Sequence, residues 1–107
     1  MTTFDDREHA LEAMFVHDEE MKFCALARRN KLLGLWAAEK LGKEGDQATA
    51  YAKSVVMSDF EEEGDHDVFR KIRLDFDRAG VEQSDHQIRR RMEELLATAM
   101  TQLAAEK

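Results

Sequence analysis

The chain contains no proline, and its apolar residues recur three and four positions apart over most of its length. Four of its five glycines stand where one such pattern ends or the next begins, namely Gly42, Gly45, Gly64 and Gly80. Glycine adopts the left-handed conformation that commonly ends a helix, so these positions predict helix ends and turns. Runs of β-branched residues are nearly absent. This pattern predicts an all-α protein.

The glycines separate four predicted helices, at about 18–41, 46–60, 65–79 and 84–105. Asp46, Asp65 and Ser84 are the predicted N-caps of the last three, and Ser84 with Gln87 forms a capping box. The side chains expected to face the core are Ala48, Tyr51, Ala52, Val55, Val56 and Phe60, then Val68, Phe69, Ile72, Phe76 and Ala79, then Ile88, Met92, Leu95, Leu96, Ala99 and Leu103. The spacing within each set is that of an amphipathic helix.

The C-terminal half of the first helix is apolar on nearly all sides, through Leu32, Leu33, Leu35, Trp36, Ala37, Ala38 and Leu41. A helix that is apolar all round is usually buried, so the other three helices are expected to surround this half. Gly34 lies within it and allows a close helix crossing. The predicted architecture is a small four-helix bundle built around residues 31–41.

The N-terminal residues differ from the rest in charge. Residues 1–20 hold seven acids and one base, a net charge of −6, whereas the other 87 residues hold 16 acids and 15 bases, a net charge of −1. We therefore divide the chain into an acidic, partly helical arm, residues 1–18, and a bundle domain, residues 19–107.

A helix over about 4–16 would place Phe4, Leu11, Met14 and Phe15 on one face. An isolated helix of that length is marginal in water, so this face is expected to need a partner. That partner is either the groove of another protein or the bundle itself. A solvated helix face is the simpler interpretation of the acids alone.

Several local patterns suggest a metal site or catalysis but do not complete one. Asp59, Glu61, Glu63 and Asp67 fit an EF-hand loop, yet Arg70 stands where the bidentate glutamate belongs. The four histidines (His9, His17, His66 and His86) lack zinc-site spacing, and Cys24 is expected to be a packed or half-covered thiol rather than an activated nucleophile. No phosphate-binding glycine loop or nucleophile elbow occurs. We expect no enzyme activity, no metal and no cofactor.

Two basic clusters, residues 28–31 and 89–91, are expected to lie on solvated faces, with Arg90 and Glu94 as an i, i+4 pair. They lack interleaved aromatics and the chain is acidic overall, so nucleic-acid binding is disfavoured. A helical adaptor that uses these clusters to bind another complex remains an alternative function. The single cysteine and the absence of a signal or membrane-spanning segment predict a cytoplasmic protein without membrane insertion.

Beyond these patterns, four stretches resemble the zeta subunit, the ATPase inhibitor of alphaproteobacterial F-type ATP synthases. They are FDDREHALEAMFVHDEEMKF (4–23), ARRNKLLGLWAAEKLG (27–42), DFEEEGDHDVFRKIRLD (59–75) and RRRMEELL (89–96). The resemblance covers essentially the whole chain in order, and the block from Arg28 to Gly42 is its most specific part.

The resemblance implies a non-catalytic regulator with a four-helix fold, a monomer when free, on the cytoplasmic side of the membrane. Its N-terminal segment, about residues 1–19 here, would enter a catalytic interface between the alpha and beta subunits near the gamma shaft and block ATP hydrolysis. The residues that match the family pattern are Phe4, Asp5, Asp6, Arg7, Leu11, Phe15 and His17. Met14 and Cys24 depart from it, and Met14 makes the arm more apolar.

Overall fold

The computed structural model of the chain describes residues 19–59 and 66–106. These residues form four α-helices, α1 (Glu19–Lys40), α2 (Gly45–Ser58), α3 (His66–Ala79) and α4 (Asp85–Ala105). The all-α prediction is thus confirmed, and the four predicted helices each match an observed one closely. The arm predicted over 1–18, with its helix at 4–16, lies outside the described residues.

The ends of α1 and α3 have the same geometry. Gly42 and Gly80 have φ of 76° and 71°. Behind Gly42, the amides of residues 42 and 43 donate to the carbonyls of Glu39 and Ala38, at 3.1 and 2.9 Å. The amides of Gly80 and Val81 likewise donate to Asp77 and Phe76, at 3.3 and 2.9 Å. Both ends are Schellman motifs, so the glycine prediction is confirmed there.

Of the three predicted N-caps, the structure describes Asp46 and Ser84, and only the prediction for Ser84 is confirmed. Ser84 Oγ accepts from the amide of Gln87 at 3.1 Å, and Gln87 Oε1 accepts from the amide of Ser84 at 2.8 Å, which completes the capping box. The prediction for Asp46 is wrong. Glu44 occupies the N-cap of α2 without a side-chain hydrogen bond. The helix begins at Gly45, so its N-cap lies two residues before the predicted one, and Gly45 has a positive φ of 55° that glycine adopts readily.

Helices α1 and α2 cross closely at Gly34. An ideal Cβ on residue 34 would lie 2.6 Å from Ala52 Cα and 3.2 Å from Val55 Cβ. No side chain larger than hydrogen fits there without moving a helix backbone. The predicted close crossing is therefore confirmed, and its partner is α2.

The core contains side chains from all four helices. Its buried members are Leu33, Ala37, Val55, Val68, Phe69, Ile72, Phe76, Ile88 and Met92. Trp36 packs against them with its ring 5.7 Å from the ring of Phe76, edge to face. Most of the predicted core positions on α2, α3 and α4 are thus confirmed as buried or partly buried. Phe60 lies outside the described residues.

Two core predictions are wrong. Ala79 is exposed, since it stands in the last turn of α3, next to the Gly80 turn. Leu35 is also exposed, with 37% of its surface accessible. Because α1 packs mainly against α2 and α4, one side of it stays uncovered, and the other helices do not surround its C-terminal half.

Candidate functional site

The eight residues proposed from sequence as the partner-binding site all lie outside the described residues. They are Phe4, Asp5, Asp6, Arg7, Leu11, Met14, Phe15 and His17. Their assignment stays a prediction. The structure does describe the segment they join, because α1 begins at Glu19, directly after the arm.

The first turns of α1 have one covered side and one open side. Ala25 is buried, while Lys22, Phe23 and Cys24 are exposed, and 59% of the surface of Phe23 is accessible. Cys24 was predicted to be packed or half-covered, and this prediction is wrong because the residue is exposed. Neighbouring apolar residues in sequence suggested burial, but Cys24 is on the side of the helix that faces away from the bundle.

Arg28 joins α1 to the end of α4. Its Nη1 and Nη2 donate to Oε1 and Oε2 of Glu106 at 2.6 and 3.0 Å, and Nη1 also reaches Oε1 of Gln102 at 3.3 Å. This two-pronged geometry is the strongest form of a carboxylate pair. The hydrogen bond from Arg28 holds the pKa of Glu106 below its usual value and raises the pKa of Arg28. Arg28 is nine residues after the start of α1, so this contact holds the end of α4 against α1 at that position.

The basic cluster at 28–31 is not a solvated face, so that prediction is wrong. Only 1% of the surface of Arg29 and of Asn30 is accessible. Arg29 Nε donates to Asn30 Oδ1 at 2.7 Å inside the protein. Of the four residues, only Lys31 is exposed. Burial follows from the helix phase, since residue 29 lies one turn from each of the buried residues Ala25 and Leu33.

The second cluster, Arg89 to Arg91, lies over aromatic rings of its own chain. The guanidinium carbon of Arg89 is 4.0 Å from the ring centre of Phe69, and that of Arg91 is 5.6 Å from the ring centre of Trp36. Arg90 forms the predicted pair with Glu94, at 3.5 Å. Arg89 and Arg90 are nevertheless exposed and Arg91 is partly exposed, so the prediction of a solvated face is confirmed for this cluster. Of the two basic clusters, only residues 89–91 therefore offer the basic surface that the adaptor hypothesis needs.

A groove with a volume of about 430 Å³ opens between the end of α1, α2 and α3. Tyr51 lies in it and donates a hydrogen bond to Asp75 Oδ2 at 2.7 Å, while Lys71 Nζ contacts the same oxygen at 3.1 Å. Lys71 Nζ also lies 5.2 Å from the centre of the Tyr51 ring. Burial and this hydrogen bond raise the pKa of Tyr51 far above its usual value.

This network links α2 to α3 across 24 residues of sequence. Sequence reasoning assigned Tyr51 to the core and missed its polar partners. The only available signal was the i, i+4 spacing of Lys71 and Asp75.

The acidic segment at 59–70 does not show a calcium loop in its described part. Asp67 is buried, and its carboxylate has no hydrogen-bond partner among the described residues; Arg70 Nη2 stands 3.7 Å from its Oδ1. Glu61 and Glu63 lie outside the described residues. Within 19–59 and 66–106, no three His, Cys, Asp or Glu side chains come together to hold a metal ion. His66 and His86 are exposed, whereas His9 and His17 are not described.

None of the helices described is both long enough and apolar enough to cross a bilayer.

A comparison with protein families matches residues 1–102 to the model of ATPase inhibitor subunit zeta. The chain belongs to this family. The match includes both the arm and nearly all of the bundle. The zeta family is one of inhibitory, regulatory subunits of the ATP synthase, and membership supports that role for this chain.

The fold is also similar to that of a solved structure. A protein determined by NMR in solution is 50% identical, with a TM-score of 0.73; the match covers 81% of this chain and 99% of the other. No protein of curated function matches the chain. The resemblance to the zeta family noted in the sequence is confirmed by the family match.

Proposed function

We propose that the chain inhibits ATP hydrolysis by the F-type ATP synthase through residues 1–18, and that residues 19–107 form a carrier domain. In this proposal the arm enters a catalytic interface between an alpha and a beta subunit near the gamma shaft. The chain itself catalyses nothing and works on the cytoplasmic side of the membrane. The main support is the family match, which starts at residue 1 and so includes the arm.

The described core supports separate roles for the arm and the bundle domain. Its buried apolar residues run from Ala25 to Ala99 and come from four helices. Residues 19–59 and 66–106 thus supply an apolar core of their own. The bundle is therefore expected to fold when the arm is absent or engaged elsewhere.

The chemistry of the arm suits a groove with an apolar floor and a basic rim. Full burial of Phe4, Leu11, Met14 or Phe15 contributes about 1.5–3 kcal/mol for each side chain. Ordering the arm on binding costs about 2–5 kcal/mol, so three or four anchors leave a favourable balance. Asp5 and Asp6 are expected to meet cations on the target, and Arg7 and His17 complete the polar contacts.

Removal of residues 1–16 is the test. The truncated chain is expected to lose inhibition of ATP hydrolysis by the purified synthase head and to keep its helical circular dichroism and melting temperature. Arg90→Ala is a matched control in the bundle, since Arg90 has an exposed side chain in one of the basic clusters. The adaptor alternative predicts the reverse pattern. Inhibition by the truncated chain equal to that of the full chain would refute the role of the arm.

A further inference from the structure

One row of side chains on α1 points away from the bundle and is largely apolar. Phe23, Ala27, Lys31 and Leu35 are four residues apart, and we call them the α1 ridge. Phe23, Lys31 and Leu35 are exposed and Ala27 is partly exposed. We propose that the α1 ridge is a second contact surface, which docks on the synthase head beside the site that the arm enters. This inference rests on the proposed function and extends it.

Helix geometry explains why these four residues act together. Side chains at i and i+4 form a row that fits between the rows of a neighbouring helix. The row lies on the side of α1 opposite the buried Ala25 and Leu33. Single exposed apolar residues are common on protein surfaces and need no explanation. Here two large apolar side chains, at positions 23 and 35, share one row with a third apolar position between them.

The two middle positions give the row a shape that a partner can fit. Ala27 is small, so it leaves a notch beside the bulky ring of Phe23, into which a side chain of a partner can insert. Lysine lays its aliphatic stem along apolar surfaces while its ammonium group stays in water. The stem of Lys31 can therefore extend the apolar strip from the notch to Leu35.

The position of the ridge in the chain determines which partner it can reach. Phe23 is five residues after the end of the arm, which is about 7.5 Å along a helix. When residues 1–18 occupy their site, Phe23 must therefore lie at its entrance. The arm then holds the ridge at a high effective concentration, so a small contact adds to affinity without being stable alone.

Charge favours the head over a second copy of the chain. Each copy has a net charge of −7, so two copies repel each other. The charges around the ridge are mixed, since Glu20, Lys22, Lys31 and Glu39 are all exposed. The ridge therefore fits a protein surface with an apolar groove whose edge carries polar groups of both signs, unlike the basic edge expected for the arm.

The decisive experiment compares exposed apolar residues on and off the ridge in the full chain. Phe23→Ala and Leu35→Ala remove side chains from the ridge and keep a strong helix former. Met57→Ala and Leu74→Ala are matched controls, because 57% and 47% of these residues are accessible on α2 and α3. The concentration for half-maximal inhibition of the purified head is measured for each variant, together with the melting temperature.

We expect Phe23→Ala to raise that concentration about 5- to 20-fold, from the share of its apolar surface that binding would cover. Leu35→Ala is expected to raise it severalfold, and the controls to stay within about twofold. All four are expected to melt within a few degrees of the original chain. Wild-type inhibition by both ridge variants overturns the proposal, as does an equal loss in the controls.

Cys24 provides an independent reading, because it is the only cysteine and is exposed beside Phe23. Its alkylation is expected to slow at least tenfold when the head binds. A thiol introduced by Met57→Cys in a Cys24→Ser background is expected to react at an unchanged rate. Equal rates at Cys24 with and without the head contradict the docking of this side of α1.

Failure of this inference is distinguishable from failure of the proposed function. If removal of residues 1–16 abolishes inhibition but the ridge variants inhibit normally, the docking role of the ridge is rejected and the inhibitory role of the arm is retained. If the truncated chain inhibits normally but the ridge variants inhibit more weakly, the inhibitory role of the arm is rejected and the docking role of the ridge is retained. Light scattering of the free chain tests whether a second copy of the chain covers the ridge instead. If the chain is a dimer, and Phe23→Ala dissociates this dimer without changing inhibition, the ridge is a self-association surface and the proposal is wrong.

Discussion

Substitution of Gly34 by alanine tests how tightly the bundle depends on the crossing of α1 and α2. The added Cβ would lie 2.6 Å from Ala52 Cα, whereas ordinary contacts of this kind begin at 3.4 Å. The nearest atom belongs to the backbone of α2 and cannot rotate away. Relief of the contact therefore requires the two helices to separate by roughly 0.8 Å at this point.

The expected cost follows from that displacement. A gap of about 0.5–1 Å forfeits a quarter to a half of the dispersion energy between the facing atoms. Overpacking of this kind costs typically about 1–3 kcal/mol, and the upper end applies because both partners are backbone or Cβ atoms. Alanine returns about 1 kcal/mol through its higher helix propensity. The net loss in the free energy of unfolding is about 2 kcal/mol, which lowers the melting temperature by about 8–16 °C.

Thermal and urea unfolding followed by circular dichroism at 222 nm measures this effect. Thr98→Ala is a suitable control, since Thr98 is exposed on α4 and its substitution should change stability by less than about 0.5 kcal/mol. A Gly34→Ala chain as stable as the original, or more stable, would refute the argument, because propensity would then outweigh the helix crossing.

Two further predictions concern pH. Tyr51 is the only tyrosine, and burial followed by its hydrogen bond to Asp75 raises its pKa in the folded chain. A raised folded-state pKa contributes stability that is fully present below the unfolded value of about 10 and is lost as pH rises above it. Absorbance at 295 nm is therefore expected to show tyrosinate only as the bundle unfolds in alkali. Titration near pH 10 with intact helical dichroism would contradict the burial. For Glu106, the hydrogen bond from Arg28 lowers the pKa of the carboxyl. A lowered folded-state pKa contributes stability above the unfolded value of about 4.3, and this stability is lost as pH falls through the folded value. Glu106→Gln is expected to be less stable than the original chain at pH 7, and the difference is expected to shrink as the pH falls below about 4.3, as measured by urea unfolding. A difference that does not change between pH 7 and acid pH would assign the effect to something other than this charge pair.

The family match and the structure of the bundle give different information about function. Family membership, over residues 1–102, supports an inhibitory role for the chain. The bundle adds features that the resemblance did not contain, notably the fastening of α1 to the end of α4 through Arg28. This contact lies between the arm and the densely packed part of α1. When a partner binds the arm, α1 is therefore held to α4 within three turns of the first residue of α1.

The sequence by itself determined the features that depend on a few neighbouring residues. Gly42 and Gly80 end helices because only glycine takes a positive φ without cost. Ser84 starts α4 because its hydroxyl accepts from the backbone N–H of Gln87 and the side-chain oxygen of Gln87 accepts from the backbone N–H of Ser84, both within one turn. Apolar spacing placed Val68, Ile72 and Phe76 in the core, because residues three and four apart share a side of a helix.

Tertiary structure alone decided which side of α1 would be covered. This helix is apolar on nearly all sides, so spacing did not distinguish buried Leu33 from exposed Leu35. Packing against α2 and α4 made that choice, and it also buried Arg29 and left Cys24 open. The pairs Tyr51–Asp75 and Arg28–Glu106 are 24 and 78 residues apart, and they exist only because the helices dock in one arrangement. Local periodicity specifies which residues share a face, whereas the relative free energies of competing helix packings specify which face is covered.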